Sequence, residues 1–254
     1  MTDALVSVRN LQKVYPTAGQ PLVALQDINL DVRQGEFLSL VGPSGCGKST
    51  LLNIVGGLLD KSAGEVRFSG QEQSGPRREI GMMFQTAVLF AWRTVLDNVL
   101  LPIELFGWDR ARYRQRALEI LELVGLKGFE RAYPGQLSGG MQQRVSLSRV
   151  LVYDPDVLLL DEPFGALDEF TRETMNLELL RLWSGSGKTI LFVTHNINEA
   201  VFLSDRVVVM TPRPGRIARV VEIDLPRPRQ REQLMLPQFS EKVFEIRELL
   251  GVAH

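Results

Sequence analysis

Nine residues, Gly42-Pro43-Ser44-Gly45-Cys46-Gly47-Lys48-Ser49-Thr50, constrain this chain more than any others. They match the pattern G-x-x-x-x-G-K-[ST], and the surroundings match as well. The apolar run Phe37 to Val41 precedes them, and Leu51, Leu52, Ile54 and Val55 follow with helical spacing. Strand, glycine-rich turn and helix in that order make an anion cradle. Glycines let backbone N–H groups turn inward around a phosphate, and the helix adds its free N–H groups and its dipole. Lys48 supplies a point charge to the β- and γ-phosphates, and the Ser49 hydroxyl is available to Mg²⁺. A mere glycine-rich turn would leave the lysine, the serine and both flanking elements unexplained.

Val157-Leu158-Leu159-Leu160 is a continuous apolar run of the kind a buried parallel strand shows, and it ends in Asp161-Glu162-Pro163. In doubly wound sheets the chemistry sits at the carboxyl ends of strands. Asp161 then reads as the second Mg²⁺ residue of a phosphate-loop site, and Glu162 as the group that polarises a water. Alone, the pair could be two solvated acids in a turn; beside a phosphate loop the functional reading prevails.

Composition excludes several classes. Lys plus Arg total 29 against 30 Asp plus Glu, which argues against a nucleic-acid-coating surface. The single cysteine, Cys46, allows no intrachain disulfide and no multi-cysteine metal site. No window approaches the roughly 18 apolar residues of a membrane span. The start Met1-Thr2-Asp3-Ala4 shows no basic region of a secretory signal, so the expectation is a cytosolic globular protein.

Along the chain, Leu5 to Leu11 and Leu25 to Val32 alternate as strands around a loop at Tyr15 to Pro21. Val66 to Phe68, Ile80 to Phe84, Ile190 to Val193, Val207 to Met210 and Arg219 to Ile223 are further strands. Thr94 to Gly107, Asp109 to Gly125, Gly139 to Tyr153 and Phe170 to Trp183 are spaced as helices, and Phe239 to Leu250 as a short amphipathic one. Between Lys48 and Asp161, 113 positions apart, lies Leu137-Ser138-Gly139-Gly140-Met141-Gln142-Gln143-Arg144. Its Ser-Gly-Gly before a helix is a second anion-binding helix start. Two such elements suggest one phosphate gripped from both sides. If they cannot meet within a chain, a dimer must assemble the site.

In this motif order the chain resembles the nucleotide-binding subunits of ATP-binding-cassette (ABC) transporters, from about Val6 to Ile223. The resemblance implies an α/β fold: a P-loop core of mixed sheet and flanking helices, an N-terminal antiparallel β region and an inserted helical subdomain at about 88–155. A short extension at about 226–254 would complete one nucleotide-binding domain, 1–254. The cofactors implied are ATP and Mg²⁺. Gly42, Pro43, Ser44, Gly45, Cys46, Gly47, Lys48, Ser49 and Thr50 would hold ATP, with Tyr15 stacked on adenine. Ser49, Gln85 and Asp161 would hold the metal. Glu162, His195, Lys48 and Gln85 would be catalytic, with His195 in Val193-Thr194-His195 on the γ-phosphate. Ser138, Gly139, Gly140 and Asp168, the last in Gly165-Ala166-Leu167-Asp168, would act on the partner's ATP. The partners implied are a second copy or a related subunit, transmembrane permease subunits and, indirectly, a substrate-binding protein. The place implied is the cytoplasmic side of the inner membrane.

A finer resemblance to nitrate/sulfonate/taurine-type importers lies in Leu89 to Val99, Glu199 to Arg206 and Pro212 to Ile217, with Asn196 and Asn198 departing from the acids expected after the histidine. It implies a small anionic cargo such as nitrate, sulfonate or taurine. The alternative is a non-transport ABC ATPase acting on a soluble partner. Single residues keep plainer readings: Tyr15 as a loop cap, His195 as a buried hydrogen-bonded histidine, Gln85 as a surface amide. Phe90 and Trp92 are either core or the lining of a groove for a membrane partner's helix. Arg213, Arg216 and Pro226 to Arg229 read as solvated. Cys46 reads as inert and shielded by nucleotide.

Overall fold

The computed structural model describes residues 4–251. Strands β1 (Ala4–Tyr15) and β2 (Leu22–Arg33) form an antiparallel pair. Val6 and Val8 of β1 and Ile28, Leu30 and Val32 of β2 are buried, as their alternation requires, and a register shift between Val8 and Leu11 brings Leu11 to the same buried face. Strand β3 (Phe37–Val41) leads through the phosphate loop into helix α1 (Lys48–Val55). Strands β4 (Ala63–Phe68) and β5 (Gln71–Glu72) then complete a four-stranded sheet in the order β2-β1-β4-β5.

Strand β6 (Ile80–Met83) enters the second sheet, and the next seventy or so residues carry only helix among their regular elements. These are α2 (Val95–Val99), α3 (Leu101–Leu105), α4 (Arg110–Leu123) and α5 (Gly139–Leu151). All four start where a side chain or proline permits it. Thr94 caps α2, Asp109 caps α4 and Ser138 caps α5 by accepting backbone N–H groups, and α3 carries Pro102 in its first turn.

The chain returns through β7 (Val157–Asp161), α6 (Glu169–Trp183), β8 (Thr189–Val193), α7 (Ile197–Leu203), β9 (Arg206–Met210) and β10 (Ile217–Glu222), and ends in α8 (Pro237–Leu249). The sheet order is β10-β9-β3-β8-β7-β6, parallel except for β10. Every residue of β3, β7, β8 and β9 is buried. Both faces are covered, which explains why these strands read as unbroken apolar runs. Phe37, Leu158, Leu160, Ile190 and Phe192 face a core shared with α2 to α8. Leu38, Leu40, Leu159, Leu191 and Val193 face a second core, shared with α1 and the antiparallel sheet.

Two elements depart from the sequence reading. Helix α7 went unread: five of its seven residues are buried, so it shows no polar face to mark a period. The tail is not wholly solvated. Arg229 is 5% exposed and donates to the carbonyls of Val201, Phe202 and Ile223. Burial, with Arg227 adding repulsion, pulls its guanidinium down to about 9. Arg227 pairs with Asp205 and lies over the Trp183 ring, 4.2 Å from its centroid. These arginines tie the tail to α7 and to the end of α6.

Candidate functional site

The carboxyl ends of the parallel strands open onto a cleft of about 460 Å³. Gly42, Ser44, Gly45, Gly47, Lys48, Ser49 and Thr50 line it, with Tyr15, Gln85, Glu162 and His195. Of the nine loop residues only Pro43 and Cys46 do not. Gly47 stands at φ 104°, a left-handed conformation that favours glycine, and a Cβ there would lie 2.6 Å from Leu25 Cδ2. No side chain caps α1, so its first N–H groups face the cleft uncapped. Lys48 is 7% exposed, and its Nζ donates to the carbonyls of Gly42 at 2.8 Å and Pro43 at 3.2 Å. That holds one buried cation at the mouth of the loop.

Asp161 and Glu162 divide as the end of a strand dictates. Asp161 is 4% exposed beside Ser49, and burial pushes its carboxyl up while the Ser49 hydroxyl and Lys48 pull it down. Its Oδ1 is buried with no hydrogen-bond partner. Glu162 reaches the cleft because its backbone turns left-handed, at φ 46°, a conformation costing on the order of 1–3 kcal/mol. The turn is held by its N–H to the Val193 carbonyl at 2.9 Å and by Gly165 N–H to its own carbonyl at 3.1 Å. Its Oε2 accepts from Gln85 Nε2 at 3.1 Å and lies 3.4 Å from His195 Nδ1. His195 is 64% exposed at the end of β8, so the buried-histidine reading fails.

These residues fit Mg²⁺. The Gln85 amide gives its nitrogen to Glu162, leaving Oε1 as its remaining acceptor. With the Ser49 hydroxyl and the unpartnered Asp161 Oδ1 that makes a set of hard oxygen donors of the type Mg²⁺ takes, completed by water and substrate phosphate. Among the described residues no cluster of three His, Cys, Asp or Glu forms an all-protein metal cage.

Tyr15, at the end of β1, lines the cleft, its hydroxyl 3.5 Å from Thr50 Oγ1 and its ring under Lys13 Nζ at 5.0 Å. Ser138, Gly139, Gly140 and Asp168 do not line it. Ser138 caps α5, its Oγ accepting Met141 N–H at 3.3 Å. Asp168 caps α6 in the same way, accepting Thr171 N–H at 3.0 Å. A Cβ on Gly139 would meet nothing within 4 Å, so this helix start is open to the outside. Gln143, one turn on, donates to the Gln85 carbonyl, so α5 holds the segment that carries Gln85 into the cleft.

Sequence reasoning missed Leu22, Ala24 and Arg213, which also line the cleft. The available signal was the Pro-Arg-Pro-Gly-Arg turn directly after a buried strand, at the same sheet edge as the phosphate loop. Cys46 is 1% exposed, so the fold itself shields its thiol and nucleotide is not needed for that. Phe90 and Trp92 are 37% and 74% exposed, with ring centroids 4.9 Å apart. Neither is core.

A cradle of backbone N–H groups, a buried lysine and a carboxylate aimed from the end of a second parallel strand, one strand removed, define a nucleotide-hydrolysing P-loop protein. Comparison with known proteins makes this specific. A family model described as ABC transporter matches residues 25–165. An uncharacterized ABC transporter ATP-binding protein of Methanocaldococcus jannaschii is 48% identical over 241 residues, 95% of this chain and 90% of that protein. A taurine import ATP-binding protein of a Jannaschia species is 43% identical over 250 residues, 97% and 93% of the two. A dimeric ATP-binding cassette solved in a post-hydrolysis state with ADP and Pi superposes with a TM-score of 0.79 at 35% identity, over 87% of this chain and 100% of that one. This chain belongs to the ABC transporter family, and its relatives there are ATP-binding subunits.

Proposed function

We propose that two copies of this chain close head to tail around two ATP molecules and so energise import of a small anion, a sulfonate of the taurine type. The observation that carries the dimer is the separation on one molecule of two phosphate-directed helix starts, of which only α1 lines the cleft. The solved cassette that resembles this chain is dimeric. The cargo reading rests on the taurine-import relative, together with the likeness of Leu89 to Val99 and Pro212 to Ile217 to importers of that type.

Within that dimer Lys48 and the loop amides hold the phosphates of one ATP. Tyr15 gives adenine the ring face that Lys13 does not cover. Ser138, Gly139 and Gly140 of the partner close over the γ-phosphate, and Asp168 crosses with them. Ser49, Asp161 and Gln85 are the residues that would hold Mg²⁺, whose charge would offset that of the β- and γ-phosphates. Glu162 takes the proton of the attacking water, and His195, turned toward it at 3.4 Å, fixes the γ-phosphate. Catalysis here is positioning and charge stabilisation. ATP favours the closed pair because only that state makes both sets of contacts.

Among the described residues no helix is long and apolar enough to cross a membrane. On this reading the chain works from the cytoplasmic face on separate permease subunits, fed by a substrate-binding protein, and does not act on nucleic acid. The exposed Phe90–Trp92 pair is the docking point for a permease helix.

Glu162→Gln tests the reading. It removes the base and keeps the shape, so turnover falls by about 10²–10⁴-fold and ATP-loaded protein elutes as a dimer. Hydrolysis at the normal rate would remove Glu162 from its role; a variant that stays monomeric with ATP would remove the composite site. Purification from detergent-solubilised membranes tests transport, since a stoichiometric multi-span protein should accompany the chain.

A further inference from the structure

The turn between β9 and β10 is built against the phosphate loop. Thr211 N–H donates to the Arg216 carbonyl at 2.9 Å, and Thr211 Oγ1 accepts Arg216 N–H at 3.0 Å, closing the turn on itself. Gly215 N–H donates to the Ala24 carbonyl at 3.0 Å and Gln26 N–H to the Gly215 carbonyl at 2.9 Å, stitching the turn to β2. A Cβ on Gly215 would lie 1.9 Å from the Cys46 carbonyl oxygen, so the two backbones touch and only glycine fits. Arg213 projects from this anchored turn into the nucleotide cleft. Its Nε donates to the Gly45 carbonyl at 3.3 Å, and its Nη2 lies 2.8 Å from where a Gly45 Cβ would be. This corrects the reading of Arg213 as simply solvated.

That one side-chain hydrogen bond uses Nε, which leaves both Nη groups with their donors uncommitted among the described residues. The carboxylate that lines the cleft, Glu162, is engaged by Gln85 and His195. Arg213 and Lys48 thus put two cationic side chains on one cleft, a lining that favours an anion. A guanidinium fork matches phosphate oxygens two at a time, and one tethered by Nε loses little freedom when it binds. We propose that Arg213 is a second cationic contact for the nucleotide's phosphate chain, donating from Nη1 and Nη2 while Nε stays on Gly45.

The test is calorimetric binding of ADP and AMP to the full chain, with Arg213→Ala, Arg213→Gln and Arg213→Lys. Arg213→Gln keeps a donor for the Gly45 carbonyl and loses the charge. Both Arg213→Ala and Arg213→Gln should weaken ADP by about tenfold and AMP by less, with Arg213→Lys between them and the wild type. The gap should shrink at high salt, because the contact is part-exposed. ADP affinity of wild-type strength in Arg213→Gln would overturn the proposal and leave the guanidinium as a brace for Gly45. Unchanged ADP affinity with weakened ATP-driven dimerisation would overturn it too, assigning Arg213 to the second copy. The side chain is exposed, so the variants should melt with the wild type, and binding reads the contact rather than folding.

Discussion

Helices α1 and α5 both begin at a glycine-rich loop directed at phosphate, yet they begin differently. Helix α1 follows a left-handed glycine, has no side-chain cap, and starts inside a cleft beside its own buried lysine. Helix α5 is capped by Ser138, and its Gly139 faces open space. A helix start with its N–H groups uncapped needs a ligand to complete it; one that is already capped is stable alone and can wait for a surface to arrive. On the proposed reading, the difference separates the half of the ATP site that belongs to the monomer from the half that belongs only to the pair.

Breaking the α1 side should do most. Gly47→Ala forces a Cβ onto Leu25 Cδ2 at 2.6 Å and the Ala24 carbonyl at 3.2 Å, at a φ that L side chains rarely adopt. Nucleotide binding and turnover should both fall by at least about 10²-fold, as expected when preorganised donors to a phosphate are misplaced. Equilibrium binding of ADP would show it, and near-normal affinity would contradict the assigned role. Breaking the α5 side should split the two readouts. Gly139→Asp has room within the monomer and puts a negative charge where the partner's γ-phosphate would come. Turnover should drop by about 10²-fold with ADP affinity of the isolated chain retained. Parallel loss of both would mean that α5 serves its own chain's cleft.

The smallest effect sharpens the contrast where the first turn of α7 meets the loop after β8. Glu199 is 6% exposed, takes a hydrogen bond from Thr194 next to His195, and keeps one oxygen unpartnered. Burial raises its carboxyl above its ordinary range, opposed by the Thr194 hydrogen bond, by the nearby Asn176 side chain and by the charges of Arg172 and His195. The unfolded chain therefore releases this proton at lower pH than the folded one, so Glu199 costs stability increasingly as pH rises past 4.5. Glu199→Gln does not titrate. Its melting temperature should match the wild type in acid and exceed it by a margin that widens toward neutral pH. A constant margin would mean that folding does not shift this carboxyl.

Most of the cleft was legible because phosphate chemistry writes itself locally: Lys48 and Ser49 close a glycine-rich loop that follows one apolar run, and Asp161, Glu162 and His195 sit at or just past the ends of two others. The fully buried strands were legible for the same reason. Helix α7 was not, since a short helix buried nearly all round has no period to read. Nor were Arg213 and Arg229. Both stand in Pro-Arg stretches whose composition says solvent, and only the tertiary fold brings them against backbone carbonyls. Composition reports the average fate of an arginine, and these two depart from it through contacts with residues 168 and 27–28 positions away.

The alternating faces of the central strands carry a last consequence. Phe37 belongs to one core and Leu38 to the other, as do Ile190 and Leu191, and Leu158 and Leu159. Neither core can lose these strands while the other keeps them. Heating should therefore melt the antiparallel region and the helices in a single calorimetric transition, and a jolt delivered to one layer reaches the other along β3, β7 and β8 as through a shared wall.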